Sequence, residues 1–317
     1  MKNIRIVEVK SEIGAGTRGS GLGIDAVKVA ALDFGSLFFK RYKSVEIPDE
    51  NKLLFEPVKF LYAKRISGLL AMYEKVSREI QRILVEKQSF PIVIEGDHST
   101  TGATVTGIKM AYPDKRIGLI WIDAHADLHS PWTTPSGNLH GMVLGALLGD
   151  DNLEQKINQP DEETITLWNQ LKNFGTGAPK ILPSDMIYVG LRDMEQQEQS
   201  LISKYNIKNF SVNEIRKRGV ERDAVMALNV LDHCDMIHVS FDVDCIDPVH
   251  SKGTGTPAPG GLSDKEAGNF IAQLMTSPKV CSFDMAEINP TLDKENEMAE
   301  IGFEILQKVT NKLTTYF

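Results

Sequence analysis

Cysteine is scarce in this chain: Cys234, Cys245 and Cys281 are the only three among 317 residues, an odd number without CxxC spacing. That argues against a disulfide framework and fits a reducing cytoplasm. Long apolar runs are also missing. No window approaches the 18 or more apolar residues of a membrane span, so no membrane partner is expected. The N-terminus, MKNIRIVEVK, reads as a strand and lacks the apolar core of a signal peptide. Positive charge is in the minority, with 35 Lys and Arg against 43 Asp and Glu and a net charge of −8. Electrostatic capture of nucleic acid or of an anionic membrane is therefore not expected. Internal repeats and low-complexity linkers are absent as well.

What the chain does have is 42% hydrophobic residues, enough for a large core. They fall in short runs that read as strands near Ile4–Val9, Ser44–Ile47, Pro91–Glu95, Ile117–Asp123, Met186–Leu191, Lys208–Val212, Met236–Asp242 and Val280–Glu287. Helical patterns lie between most of them, among them Lys59–Lys87, Val220–Leu231 and Ser263–Thr276, and Ala299–Lys312 makes a closing helix. Strands alternating with helices imply an α/β fold with a parallel sheet covered on both faces. The most polar stretch, Asp150–Asp185, carries Pro160, Pro179 and Pro183 around a helical patch at Glu162–Lys172. Alternation resumes directly after it, so it reads as an excursion at the rim. A single domain over residues 1–317 is expected.

The glycine-rich segment Gly14–Gly23, GAGTRGSGLG, matches GxGxxG in its first six residues. Polar residues separate it from the preceding strand, and glycines continue where a helix should open. A flexible loop at the strand-end face is the better reading than a phosphate cradle.

Polar residues cluster where the apolar strands stop. Asp97 and His98 follow PIVIEG. Asp123, His125 and Asp127 follow GLIWI. Asp242 and Asp244 follow MIHVSF, and Glu287 follows VCSFDMA. Ligands bind at the carboxyl ends of strands in an open parallel sheet. Strand side chains alternate with period two, so acids at i and i+2 are expected to point the same way. Convergent carboxylates repel and desolvate at high cost, and a metal ion removes that cost. Oxygen and imidazole donors without thiolate suit two harder ions, Mn²⁺ above all. Asp97 reads as an orienting neighbour of the ligands. His233, His238 and His250, taken singly, read as satisfied structural residues.

Together EGDHS, DAHAD, SGNLHG, SFDVDCIDP, GTGTP and AEINP resemble the arginase family of ureohydrolases, which includes arginase, agmatinase and formimidoylglutamase. The resemblance runs from the glycine-rich loop to near Pro290. It implies one α/β domain with a central eight-stranded parallel sheet flanked by helices, two manganese ions per subunit, and a homo-oligomer, trimer or hexamer. By motif, His98 resembles the terminal ligand of one manganese and His125 that of the other. Asp127 resembles a ligand on the His98 side and Asp244 one on the His125 side, with Asp123 and Asp242 as bridges. His140 resembles the proton-shuttling histidine. Glu287 resembles the carboxylate that holds a guanidinium group, and Thr256 its hydrogen-bonding neighbour.

Guanidinium hydrolysis needs a strong nucleophile, because the delocalised cation is a poor electrophile. Two metals sharing a water make a bridging hydroxide near neutral pH. Asp127 can aim it, Glu287 can fix the guanidinium plane through paired hydrogen bonds, and His140 can protonate the leaving amine. The resemblance implies a small guanidino compound as substrate, and L-arginine is the preferred reading. Ser136 and Asn138 offer donors to an α-carboxylate, and Glu195 and Glu198 can take an α-ammonium. Three positions depart from the arginase pattern: His129 stands where Asn is usual, Glu195 where Asp is common, and Cys245 where Gly is common. Agmatine or 4-guanidinobutyrate as substrate, and a non-catalytic sensor of the same fold, are the alternatives.

Overall fold

The computed structural model describes residues 2–315. Eight strands form one sheet: β1 (Ile4–Val9), β2 (Ser44–Ile47), β3 (Phe90–Glu95), β4 (Ile117–Ile122), β5 (Met186–Val189), β6 (Lys208–Phe210), β7 (Met236–Asp242) and β8 (Val280–Ala286). Their order is β2-β1-β3-β8-β7-β4-β5-β6, and every pairing is parallel. The expected α/β architecture with a central eight-stranded parallel sheet is what forms.

Burial explains why the strands read as unbroken apolar runs. Every residue of β3 and of β4 is buried. A parallel sheet has helices on both faces, so both sets of alternating side chains must be apolar. One apolar cluster lies on each side. Ile120, Ile122, Val239, Phe241 and Phe283 point into the first, against Phe303 and Leu306 of the closing helix Glu297–Thr315. Val93, Leu119, Trp121 and Tyr188 point into the second, against Met72, Val76 and Ile80 of the helix Ile66–Val85. That helix buries Ile66, Leu69, Met72, Tyr73, Val76, Ile80 and Ile83, a stripe at spacings of three and four.

Boundaries differ where side chains redirect the chain. The helix expected from Lys59 starts at Ile66, because Arg65 adopts a left-handed φ of 59° and the Lys64 amide donates to Gly137 O. The strand expected to reach Val212 ends at Phe210. Ser211 there accepts the Glu214 amide, and Glu214 reaches back to the Ser211 amide, so a capping box starts the helix Val212–Arg218. The same reciprocal cap, Ser263 with Glu266, opens the helix Asp264–Leu274. The polar excursion contains the helix Glu162–Asn173, which sinks Trp168 and Leu171 into the second cluster.

The glycine-rich loop lies at the strand-end face, but it is pinned. Glu12 Oε2 accepts the amides of Gly19 and Gly21 at 2.8 Å each, and Asp97 Oδ2 accepts that of Gly14 at 2.7 Å. The helix following β1 opens only at Gly23.

The helices Ile66–Val85 and Thr101–Ala111 cross closely at Gly107. A Cβ there would lie 2.6 Å from Ser77 O and 2.7 Å from Ile80 Cβ. Gly107→Ala is expected to destabilise by about 1–3 kcal/mol through overpacking. Urea unfolding measures this as a lower midpoint at unchanged slope, and an unchanged midpoint would show that the helices separate freely.

Candidate metal centre

The polar clusters lie at the carboxyl ends of β3, β8, β7 and β4, which are consecutive neighbours in the sheet. Residues 189 positions apart in sequence thereby meet: the His98 amide donates to Glu287 Oε1 at 3.1 Å. His98 sits in a short 3-10 turn, His98–Thr100, in which the Ser99 amide donates to Asp97 Oδ1 at 2.8 Å.

His98, Asp123 and Asp127 form one group able to hold an ion, and Asp123, His125 and Asp244 form another, so the two share Asp123. His98 Nδ1 lies 3.1 Å from Asp123 Oδ2, 3.2 Å from Asp242 Oδ2 and 3.4 Å from Asp127 Oδ2. His125 Nδ1 lies 2.9 Å from Asp244 Oδ2 and 3.6 Å from Asp123 Oδ1. His98 Nδ1 and Asp123 Oδ2 are both buried without a hydrogen-bond partner. Orphaned lone pairs aimed at one point fit cations.

The i, i+2 spacing has a different origin from strand alternation. β4 ends at Ile122, before any ligand. Asp123 instead folds its Oδ1 back onto the His125 amide at 2.6 Å, and Asp242 does the same to the Asp244 amide at 2.8 Å. Each is an aspartate turn, in which one oxygen holds the backbone and leaves the other free. Asp127 and Glu287 take left-handed φ values of 51° and 68°. Such strain is kept only where the surroundings impose it: the Glu287 amide donates to Gly96 O, and Asp127 O accepts the Leu144 amide.

Four carboxylates face two imidazoles here, and the titration directions follow. Burial and then the charges of Asp244 and Asp123 push Asp242 well up. Burial and Asp123 lift Asp244 to about 6. For both histidines burial favours the neutral ring, but the carboxylates win: Asp123, Asp127 and Asp242 hold His98 well above its usual value, and Asp244 with Asp123 does so for His125. Across the cleft His140 Nδ1 meets Glu287 Oε1 at 3.1 Å. Burial opposes its charge, yet the bond to Glu287 raises its pKa to about 9.

The model of the arginase family matches residues 2–311. The chain belongs to the arginase family. Arginase from Brevibacillus brevis is 31% identical over 322 residues, covering 97% of each chain. Arginase from Bacillus subtilis (strain 168) is 29% identical over 98% of each. The native structure of arginase from Bacillus caldovelox matches with a TM-score of 0.80 at 28% identity, covering 98% of both chains. This arginase-family chain is thus a ureohydrolase of the same single-domain fold, and no helix among its described residues is long and apolar enough to cross a membrane.

A cleft of about 450 Å³ opens here, lined by Asp123, His125, Asp127, Asp242 and Asp244 and, towards the mouth, by His129, Ser136, Asn138, Glu195, Glu198 and Thr256. The structure gives several of these other partners. The Thr256 hydroxyl donates to Asp244 Oδ2 at 3.1 Å, and Glu287 meets His140 and the His98 amide instead. Glu198 is buried and accepts the amides of Leu128 and Glu195 at 3.0 Å each, so it braces the mouth from behind. His129 Nε2 meets Glu195 Oε2 at 3.1 Å. Ser136 Oγ accepts the Asn138 amide on the exposed rim. Cys245 is fully buried under the site with its thiol towards Val189 O. Sequence reasoning missed two neighbours. Lys64, inside a stretch read as helix, reaches Asn138 Oδ1 at 3.3 Å. Asp193, whose side chain is 69% exposed, lies 3.7 Å from His125 Nε2.

Histidines that hold protons at neutral pH must release them to become ligands. Adding Mn²⁺ to the chelator-treated protein at pH 7 is therefore expected to release protons in a pH-stat. Its affinity should rise with pH between 6 and 8. A pH-independent affinity without proton release would contradict this assignment of the two imidazoles.

Proposed function

We propose that this chain is a binuclear manganese hydrolase that cleaves L-arginine to L-ornithine and urea. One observation carries the reading: two overlapping groups of acids and imidazoles, sharing Asp123, lie beside a cleft that is also lined by His140, itself bonded to the buried Glu287. His98, Asp123, Asp127 and Asp242 would hold one ion, and His125, Asp123, Asp242 and Asp244 the other. When bound, two such ions supply Lewis acidity and bring the pKa of water towards neutrality.

The chain's own residues do the rest. Glu287 takes the guanidinium through paired N–H···O contacts, fixing the plane as well as the charge. Asp127 accepts a hydrogen bond from the attacking water and aims it at the guanidinium carbon. One O–H bond of the water breaks, its proton leaving to solvent, as the C–O bond forms and a tetrahedral carbon results. His140, protonated at neutral pH by virtue of Glu287, then gives a proton to the departing nitrogen as the C–N bond breaks. Urea and a primary amine leave.

The named relatives are arginases, which favours L-arginine, and Ser136 and Asn138 at the mouth suit an α-carboxylate. A second reading rests on the His129–Glu195 contact. It occupies the acid expected to receive an α-ammonium and so favours a guanidino acid without one, such as 4-guanidinobutyrate.

Urea release from L-arginine, agmatine and 4-guanidinobutyrate by the manganese-loaded protein separates the readings, with L-arginine expected to be turned over fastest. Agmatine turnover without arginine turnover would overturn the choice. His140→Asn is expected to lower kcat by about 10²–10⁴-fold, the usual worth of a general acid, while retaining both ions. Asp127→Asn should cripple turnover, and full activity with both metals kept would refute its role.

A further inference from the structure

A file of polar side chains runs from the metal centre into the middle of the sheet, where its neighbours are apolar. His98 Nε2, on the ring edge away from the carboxylates, lies 2.8 Å from Ser240 Oγ. Ser240 in β7 is the register partner of Asp284 in β8, and the two side chains interact. Asp284 Oδ2 lies 2.8 Å from His238 Nε2, and His238 Nδ1 lies 2.7 Å from Ser282 Oγ. Ser240, Asp284, His238 and Ser282 are all at 0% exposure. A buried carboxylate is costly unless it is paired and bonded, so a chain with no task here would be better served by apolar residues.

The polarity of the file supplies the task. The His98 ring is stacked on Trp121, with centroids 4.1 Å apart and planes at 13°, so its orientation is held. What remains to be set is which nitrogen carries the proton. Asp284 Oδ1 is buried without a hydrogen-bond partner on the strand next to Ser240; a Ser240 hydroxyl turned to donate to it leaves Ser240 Oγ to accept from His98 Nε2–H. The lone pair is left on Nδ1, the atom that has no partner and faces Asp123, Asp127 and Asp242. Outer partners of this kind fix ligand tautomer and basicity. The other imidazole has no such brace: the side chain of His125 is 26% exposed, and its Nε2 faces the exposed Asp193 at 3.7 Å.

We propose that Asp284, acting through Ser240 and steadied by His238, is a positioning residue that sets the affinity of the His98-side ion alone. This rests on the two-ion reading above. The test is Mn²⁺ titration against a competing chelator, with full-length wild type, Asp284→Asn and Ser240→Ala. Wild type is expected to bind two ions. Each variant should lose about ten- to a hundredfold in affinity for one of them, with the other unchanged. Ser240→Ala keeps the Asp284–His238 contact, so it isolates the link to His98 if Asp284→Asn folds poorly. A merely structural role would lower the thermal midpoint of the ion-free protein and leave the two affinities alone. Wild-type affinity at both sites in both variants, or equal weakening of both, would overturn the proposal. Wild type binding no ion at all would instead overturn the metal centre itself.

Discussion

Asp123, Asp127, Asp242 and Asp244 crowd one nearly dry edge of the sheet with only His98 and His125 between them, and almost everything else at that edge answers to their mutual repulsion. Burial and mutual repulsion push Asp242 and Asp244 up, and cations would relieve carboxylates held this close. They cannot be allowed to swing apart either, or the convergence is lost. The backbone therefore holds one oxygen of Asp123 and one of Asp242 in tight turns, leaving the second oxygen of each for the centre. Left-handed backbone at Asp127 and Glu287 is a second cost of the same aim, kept in place by contacts from neighbouring loops.

A parallel sheet suits this demand. Adjacent strands lie about 4.8 Å apart, so four neighbours that stop at the same level deliver their following residues into one small volume. Because β3, β8, β7 and β4 are neighbours in space but not in sequence, no single segment has to carry the whole charge. The floor of the cleft is built from strand ends. Its mouth is built differently, from rim loops whose side chains serve one another: Ser136 serves Asn138, Glu198 serves Leu128 and Glu195, and His129 faces Glu195. On the function proposed above, the floor would set the reaction type and the mouth the choice of guanidino compound.

Much of this was legible in the residues because burial leaves a strong mark on them. β3 and β4 are buried throughout and read as strands from hydrophobicity alone. Motifs such as DAHAD and SFDVD hold acids and histidines that the structure brings together, although the turn that spaces their acids is not the strand alternation that first suggested convergence. The resemblance to the arginase family, not periodicity, gave each residue an expected role. Signals were absent where a partner comes from far away in the chain. Nothing in LYAKR marks Lys64 as a neighbour of Asn138, and nothing local ties Thr256 to Asp244 rather than to Glu287.

By itself the sequence determined the class of fold, the family, and the segments from which the polar groups of the site come. Those follow from local rules: apolar runs that must be covered, caps that start helices, and acids that cannot be buried without a reason. Only the tertiary structure decided which oxygen of Asp123 and of Asp242 holds a backbone amide, that Asp123 is common to both groups, and that His98 meets Ser240. It also turned Glu195 towards His129. These are outcomes of distances between strands and loops far apart in the chain, and a hydrogen bond exists only once both ends share a few ångströms of space.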